Sequence, residues 1–361
     1  MNQVAFHFAA ALHRSAEAPP ADAVARPVDA PARPADVAHP GDPGDALGFD
    51  HARYGLVPPA DCLWPGHPVR EGWERGRHLV GRRTRPATLA VSRWLAMRLA
   101  AWRAGQPFDD VQITPTTLRA LEASTRCPVT GVPLDATARM MRLDPARGWI
   151  GGNLALVAAP VADRLDGMSW HDATVALQAA ERAAEADASG TPSMREASAF
   201  TLAQWRRAVA LKSLATPLPE GEAREQAMRV LPPTRVRLVN PIQAVQALLS
   251  LQLATPGWGA RSSRVAASIP LLLRCEFHLF FHTLLAHTLR AGQAIAADDD
   301  RNAMRVAVER AWSEPTVQRR WERFARRVDT ALAETLVERL AGEPLPGLQT
   351  LSHPDGLVLG H

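Results

Sequence analysis

Between Cys127 and Asp166 the chain abandons the helical spacing that governs most of its length, and this interruption restricts its fold more than any other feature. Cys127-Pro-Val-Thr-Gly131 reads as a knuckle turn. A short strand carries Arg139-Met-Met-Arg-Leu-Asp144, a tight turn falls at Pro145-Ala-Arg-Gly148, and a second strand carries Asn153-Leu-Ala-Leu-Val157. A helix starts after Pro160, so the unit is a β-hairpin packed on a helix.

The flanks read as helix and linker. Residues 1–14 suit a small tethered helix, and residues 15–47 alternate proline, alanine and aspartate without period, which marks a flexible, disordered linker. An N-terminal domain is expected over 48–188, with the hairpin module at 127–166. It opens on an irregular segment rich in aromatics, prolines and glycines. A helix from about Ala87 to Ala104 follows, capped by Thr88, with Leu89, Trp94, Leu95, Leu99 and Trp102 on its apolar side, and a shorter helix spans Thr116 to Ser124. Ser169 and Asp172 form a capping-box start for a helix to about Ala188, and the break at ASGTPS is the best domain boundary.

Residues 195–345 read as a helical domain. Asn240-Pro241 opens one helix, Pro270 opens another that closes at Gly292, and Pro315 opens a long one that closes at Gly342. Only Thr234 to Val239 alternates like a strand, and residues 346–361 read as an irregular tail. The expected fold class is mainly α with a small β-hairpin.

The ordered set at 127–166 resembles HNH-type endonuclease domains, in which a Cys-x-x-x-Gly knuckle precedes an Asp-Arg-x-Asp strand, a Gly-Tyr turn, a Gly-Asn-Val strand and a helix bearing Asn-Arg-x-Lys. Cys127 and Gly131 match the knuckle, Arg142 and Asp144 the acidic strand, Gly148 the turn, Asn153 the central asparagine and Arg164 the helix arginine. The resemblance implies a ββα, treble-clef-like module with Asp144, Asn153 and Asp163 as catalytic candidates. It also implies a divalent metal, Mg or Zn, that stabilises the leaving oxygen of a phosphodiester, with the asparagine bracing the loop. Three departures imply that nuclease activity is weakened or lost. Met141 stands where the first metal-binding aspartate belongs, Asp163 and Asp166 replace asparagine and lysine, and no histidine lies between His78 and His171. A thioether is a poor ligand for a hard cation.

Two further ligand sets are candidates for a metal. Cys275, His278 and His282 fall at i, i+3 and i+7 on the helix that Pro270 opens, and Cys62 with His67 could join Cys127. The densest basic stretch contains Arg75, Arg77, Arg82, Arg83 and Arg85 beside Trp73 and the glycines 72, 76 and 81. Together with Arg142 these arginines are the candidate nucleic-acid contacts, with the glycines letting backbone approach phosphate.

The arginine bias itself is ambiguous. Of 41 lysines and arginines only Lys212 is lysine, and 30 prolines point equally to a genomic cause. The net charge of +4 permits nucleic-acid binding without demanding it. Three scattered cysteines argue against a disulfide framework and for a reducing cytoplasm. The apolar window Ile269–Leu289 holds Arg274 and Glu276, so it reads as a buried helix and no membrane span is expected. The expected function is a nucleic-acid-associated protein, DNA being the partner in view. The alternative is a non-enzymatic helical adaptor that binds a protein partner through 195–345.

Overall fold

The structure, a computed structural model, describes residues 42–188, 200–255, 263, 265–293, 300–341, 349–353 and 356–360. The expected helix at 1–14, all but the end of the linker at 15–47 and the break after Ala188 lie outside the described residues. The side chain of Asp42 accepts the Gly44 N–H at 2.6 Å and Pro43 takes the first helical position, so α1 (Pro43–Arg53) starts ahead of Gly48, inside the stretch expected to be linker. The segment expected to be irregular is largely helical, because α2 (Pro68–Val80) follows, capped by His67 through a 3.2 Å bond from the Val69 N–H to Nδ1.

Glycines explain why this stretch looked irregular. A Cβ on Gly48 would lie 1.9 Å from the Val69 carbonyl oxygen, and one on Gly72 would lie 1.9 Å from that of Asp45. The two helices therefore cross backbone to backbone. Gly72, expected to admit a phosphate, instead admits α1.

α3 (Leu89–Arg103) is capped by Thr88 as expected, although Leu89 itself faces solvent. α4 (Pro115–Glu122) starts behind Thr114. Leu47, Val69, Val91, Trp94, Leu95, Leu99, Ile113 and Leu118 form the core of this first half.

The expected hairpin is present. β1 (Arg139–Arg142) pairs antiparallel with β2 (Leu154–Val157), Met141 opposite Ala155 and Arg142 opposite Leu154. Every residue of β2 is buried. Met141, Leu143, Ala155 and Val157 enter a second, larger core, whereas Leu154 and Met140 pack on the first. A strand buried on both faces needs a continuous apolar run rather than alternation, and Leu-Ala-Leu-Val supplies it.

α5 (Ala159–Leu165) and α6 (Trp170–Ala188) follow, the latter behind the expected Ser169–Asp172 box, with reciprocal bonds of 2.9 and 3.1 Å. α7 (Leu202–Ser213), α8 (Glu220–Glu225) and α9 (Pro241–Ala254) lead into α10 (Arg274–Gln293), α11 (Asp300–Trp312), α12 (Pro315–Ala325) and α13 (Thr330–Ala341). α9 is the central helix, buried continuously from Ile242 to Leu253. Asn240 precedes it as expected but makes no side-chain cap; its amide instead ties Leu218, Ser213 and Thr216 together.

Two expectations need correction here. The single long helix expected after Pro315 is two, because the chain turns at Val328-Asp329 and Asp329 accepts the Leu332 N–H at 2.8 Å to start α13. The tail expected to be irregular carries β4 (Gln349–His353) and β5 (Gly356–Gly360), and β5 pairs with β3 (Arg237–Leu238), inside the one segment that alternated like a strand. The chain is mainly helical with a small two-stranded hairpin, and no helix among the described residues is long and apolar enough to cross a membrane.

The backbone contact between α1 and α2 should tolerate no methyl group. Gly72→Ala is expected to destabilise by about 1–3 kcal/mol, whereas Gly221→Ala in α8, where an added Cβ meets nothing within 4 Å, should gain about 0.5 kcal/mol. Urea unfolding of the two variants checks the contrast. Equal stability of both with wild type would rule the contact out.

Candidate functional site

The end of β1 and the start of β2 are locked by one side chain. Asn153 is buried; its Oδ1 accepts the Asp144 N–H at 2.8 Å and its Nδ2 donates to the Asp144 and Gly148 carbonyls at 2.8 and 2.9 Å. Asp144 spends its own carboxylate on the Ala146 N–H at 3.0 Å, starting the 3-10 turn Pro145–Arg147. The turn closes at Gly148 with φ of 68°, a conformation that glycine adopts without strain.

The third catalytic candidate is not gathered there. Asp163, on α5, is exposed and pairs with Arg139 at 2.6 Å, at the start of β1. Arg139 and Asp144 are five residues apart along extended chain, about 16 Å. Met141 is wholly buried in the large core. These residues do not fit the nuclease cation that the resemblance implies, because Asp144 and Asn153 are spent on backbone groups of the turn, Asp163 is held in an ion pair, and the side chain at 141 is a methionine in the core.

The other expected ligand sets are dispersed too. The Cys62 thiol is buried in the first core, where Arg103 lies 3.2 Å from the sulfur, and burial pushes the thiol pKa up. Cys127 belongs to the other core. His67 has its Nδ1 occupied by the α2 cap and its ring wedged between Trp64 and Trp102. Cys275, His278 and His282 share an exposed side of α10, the segment that reads from sequence as a buried helix. Among the described residues no three His, Cys, Asp or Glu side chains converge as a metal site.

The candidate arginines divide. Arg142 is buried over the Trp149 ring at 5.3 Å, 3.9 Å from Asp166, and its Nε has no partner. It is closed to nucleic acid. Arg75 is paired with Asp45, and Arg77 covers Trp73 at 4.8 Å. Arg82, Arg83 and Arg85 are exposed on the loop between α2 and α3, with no carboxylate drawn to them among the described residues. The Arg85 N–H holds that loop to the Arg53 carbonyl at 2.9 Å.

Lys212, on α7, is the residue that sequence reasoning left without a role. Fully buried, its Nζ donates to the Leu143 carbonyl at 3.2 Å and the Met168 carbonyl at 2.6 Å, so one ammonium pins the end of β1 and the exit of α5 to the helical half. Burial lowers its pKa to about 8 against the pull of Asp166 and Asp144. A signal was available. The only lysine among so many arginines occupies a buried place where a compact ammonium with rotatable donors reaches two backbone carbonyls.

Asn153→Ala orphans three buried backbone groups and should cost about 2–4 kcal/mol in urea unfolding. For Lys212, the folded pKa lies below the ordinary lysine value of about 10.4, so at neutral pH the folded chain holds the charge at a cost. That cost is relieved as pH rises from about 8 to about 10.4, where the unfolded chain binds more proton. Wild type should gain about 3 kcal/mol on Lys212→Met across that window. A stability difference that is flat with pH would refute the buried ammonium.

No protein-family model matches the chain, and neither the comparison with curated proteins nor that with solved structures returned a match.

Proposed function

We propose that the chain is a nucleic-acid-associated protein in which an HNH-like hairpin serves as scaffold, its nuclease chemistry lost. The observation that carries the reading is the exposed basic loop, Arg82-Arg83-Thr84-Arg85 behind Gly81, joined by Arg77 in the last turn of α2, which lies over Trp73 in the middle of that helix. Guanidinium groups that no carboxylate occupies can displace the counterions of a phosphate backbone, and such a contact is independent of base sequence. Loss of chemistry is supported by the buried Met141 and by the engagement of Asp144 and Asp163 elsewhere.

A second reading, a non-enzymatic adaptor working through protein contacts of the helical half, is favoured by exposed leucines on and just before α10, Leu271, Leu272, Leu279 and Leu289. The two readings part on salt. Binding of a short labelled DNA duplex, followed by fluorescence anisotropy, should weaken steeply as salt rises. Joint replacement of Arg82, Arg83 and Arg85 by alanine should flatten the slope of log affinity against log salt by about 3. Absent or salt-insensitive binding would leave the adaptor reading. Plasmid nicking that needs magnesium and is lost in Asp144→Ala would restore the nuclease.

A further inference from the structure

Histidines on a helix this apolar would ordinarily be satisfied within a core; of the three on α10, His287 is half-buried beside Glu314 at 4.0 Å, but the other two are not. Phe277, Phe280, Phe281 and Leu284 take the buried side, stacking against Trp312, Trp321 and Phe324. His278 and His282 are exposed on the opposite side, i and i+4, with ring centroids 5.8 Å apart. Two imidazoles one helical turn apart are a bidentate pair for a borderline transition metal. Zinc takes four ligands in a closed site, so this pair is half of one.

The surrounding residues indicate where the other half comes from. Leu271 and Leu289, 76% and 42% exposed, stand nine positions either side of residue 280, and His278 and His282 stand two positions either side of it. A stripe symmetric in this way is complementary to its own antiparallel copy. On a two-fold axis at residue 280, Leu271 of one chain opposes Leu289 of the other, and the four histidines meet at the axis. That is the reciprocal contact a two-fold interface requires.

We propose that α10 forms a zinc-bridged interface between two copies of this chain, with His278 and His282 of each copy as the four ligands. Cys275 is not a ligand. The apolar residues beyond the histidines shield the metal from water and fix the antiparallel direction. The role is independent of the basic loop, and it places an assembly surface on the helical half.

Sedimentation velocity of the full chain tests it. Added zinc chloride should convert a 39.1 kDa monomer to twice that mass, with one zinc bound per two chains. EDTA should reverse the change and magnesium should not produce it. His278→Ala and His282→Ala should each abolish the conversion, Leu271→Asp should weaken it, and Cys275→Ser, which removes any disulfide, should leave it intact. These side chains are exposed, so unchanged helical circular dichroism shows that the variants still fold. Zinc bound one per chain without change of mass would overturn the proposal. So would a dimer that persists in EDTA or survives both histidine changes, which would assign the stripe to apolar contact alone.

Discussion

The hairpin has two strands of four residues, and such a unit is marginal in water unless something covers it. Here both faces are covered. Leu154 and Met140 belong to the core built by α3 and α4, and Met141, Leu143, Ala155 and Val157 to the core that α9 dominates. The hairpin is thus a wall shared by two cores. This burial also explains residue 141. A carboxylate at that position would point into the large core, and an unpaired buried charge is far costlier than a methionine that fills the space. The architecture that keeps the hairpin folded therefore requires an uncharged side chain at position 141.

Polar groups then fix what apolar burial leaves loose. Hydrophobic contact sets which face of a strand is inside, but it does not set where the strand ends. Asn153 sets that end by occupying three backbone groups of the 144–148 turn. Lys212 acts across the larger distance, holding the Leu143 and Met168 carbonyls from a helix far along the chain. A neighbouring link is purely backbone, the Arg237 N–H donating to the Gly152 carbonyl at 2.8 Å. Together they bind the loops of the hairpin to α7 and β3, so the two halves meet through specific bonds as well as through packing.

What was legible in the sequence was local. The hairpin, the Thr88 cap and the Ser169–Asp172 box each rest on residues within a few positions of one another, and all are present. What was not legible depends on partners distant in sequence. Gly48 and Gly72 look like loop residues until α1 and α2 are seen crossing at them. In the tail, β4 and β5 pair with each other locally, but β5 is also held by β3, more than a hundred positions upstream, a partner that no local pattern in the tail announces. Where the candidate side chains spend their polar groups was illegible for the same reason. Spacing placed Asp144, Asn153 and Asp163 in one motif, but spacing carries no information on whether Arg139 or a turn amide will claim a carboxylate first.

The arginines show how location resolves what composition leaves ambiguous. Many serve as internal ties to carbonyl groups and buried acids. Arg207 joins Glu309 to the Pro128 and Arg229 carbonyls, Arg305 holds those of Leu231 and Pro232, Arg224 reaches Val328, and Arg98 meets Asp50 at 2.5 Å. A guanidinium with five donors suits this work, since one side chain can satisfy several loose backbone ends at once. Part of the arginine content is therefore engaged inside the fold, and the net charge of the chain alone says little about its partners. Arg82, Arg83 and Arg85 of the loop after α2 instead face water, and among the described residues no acid is drawn to them.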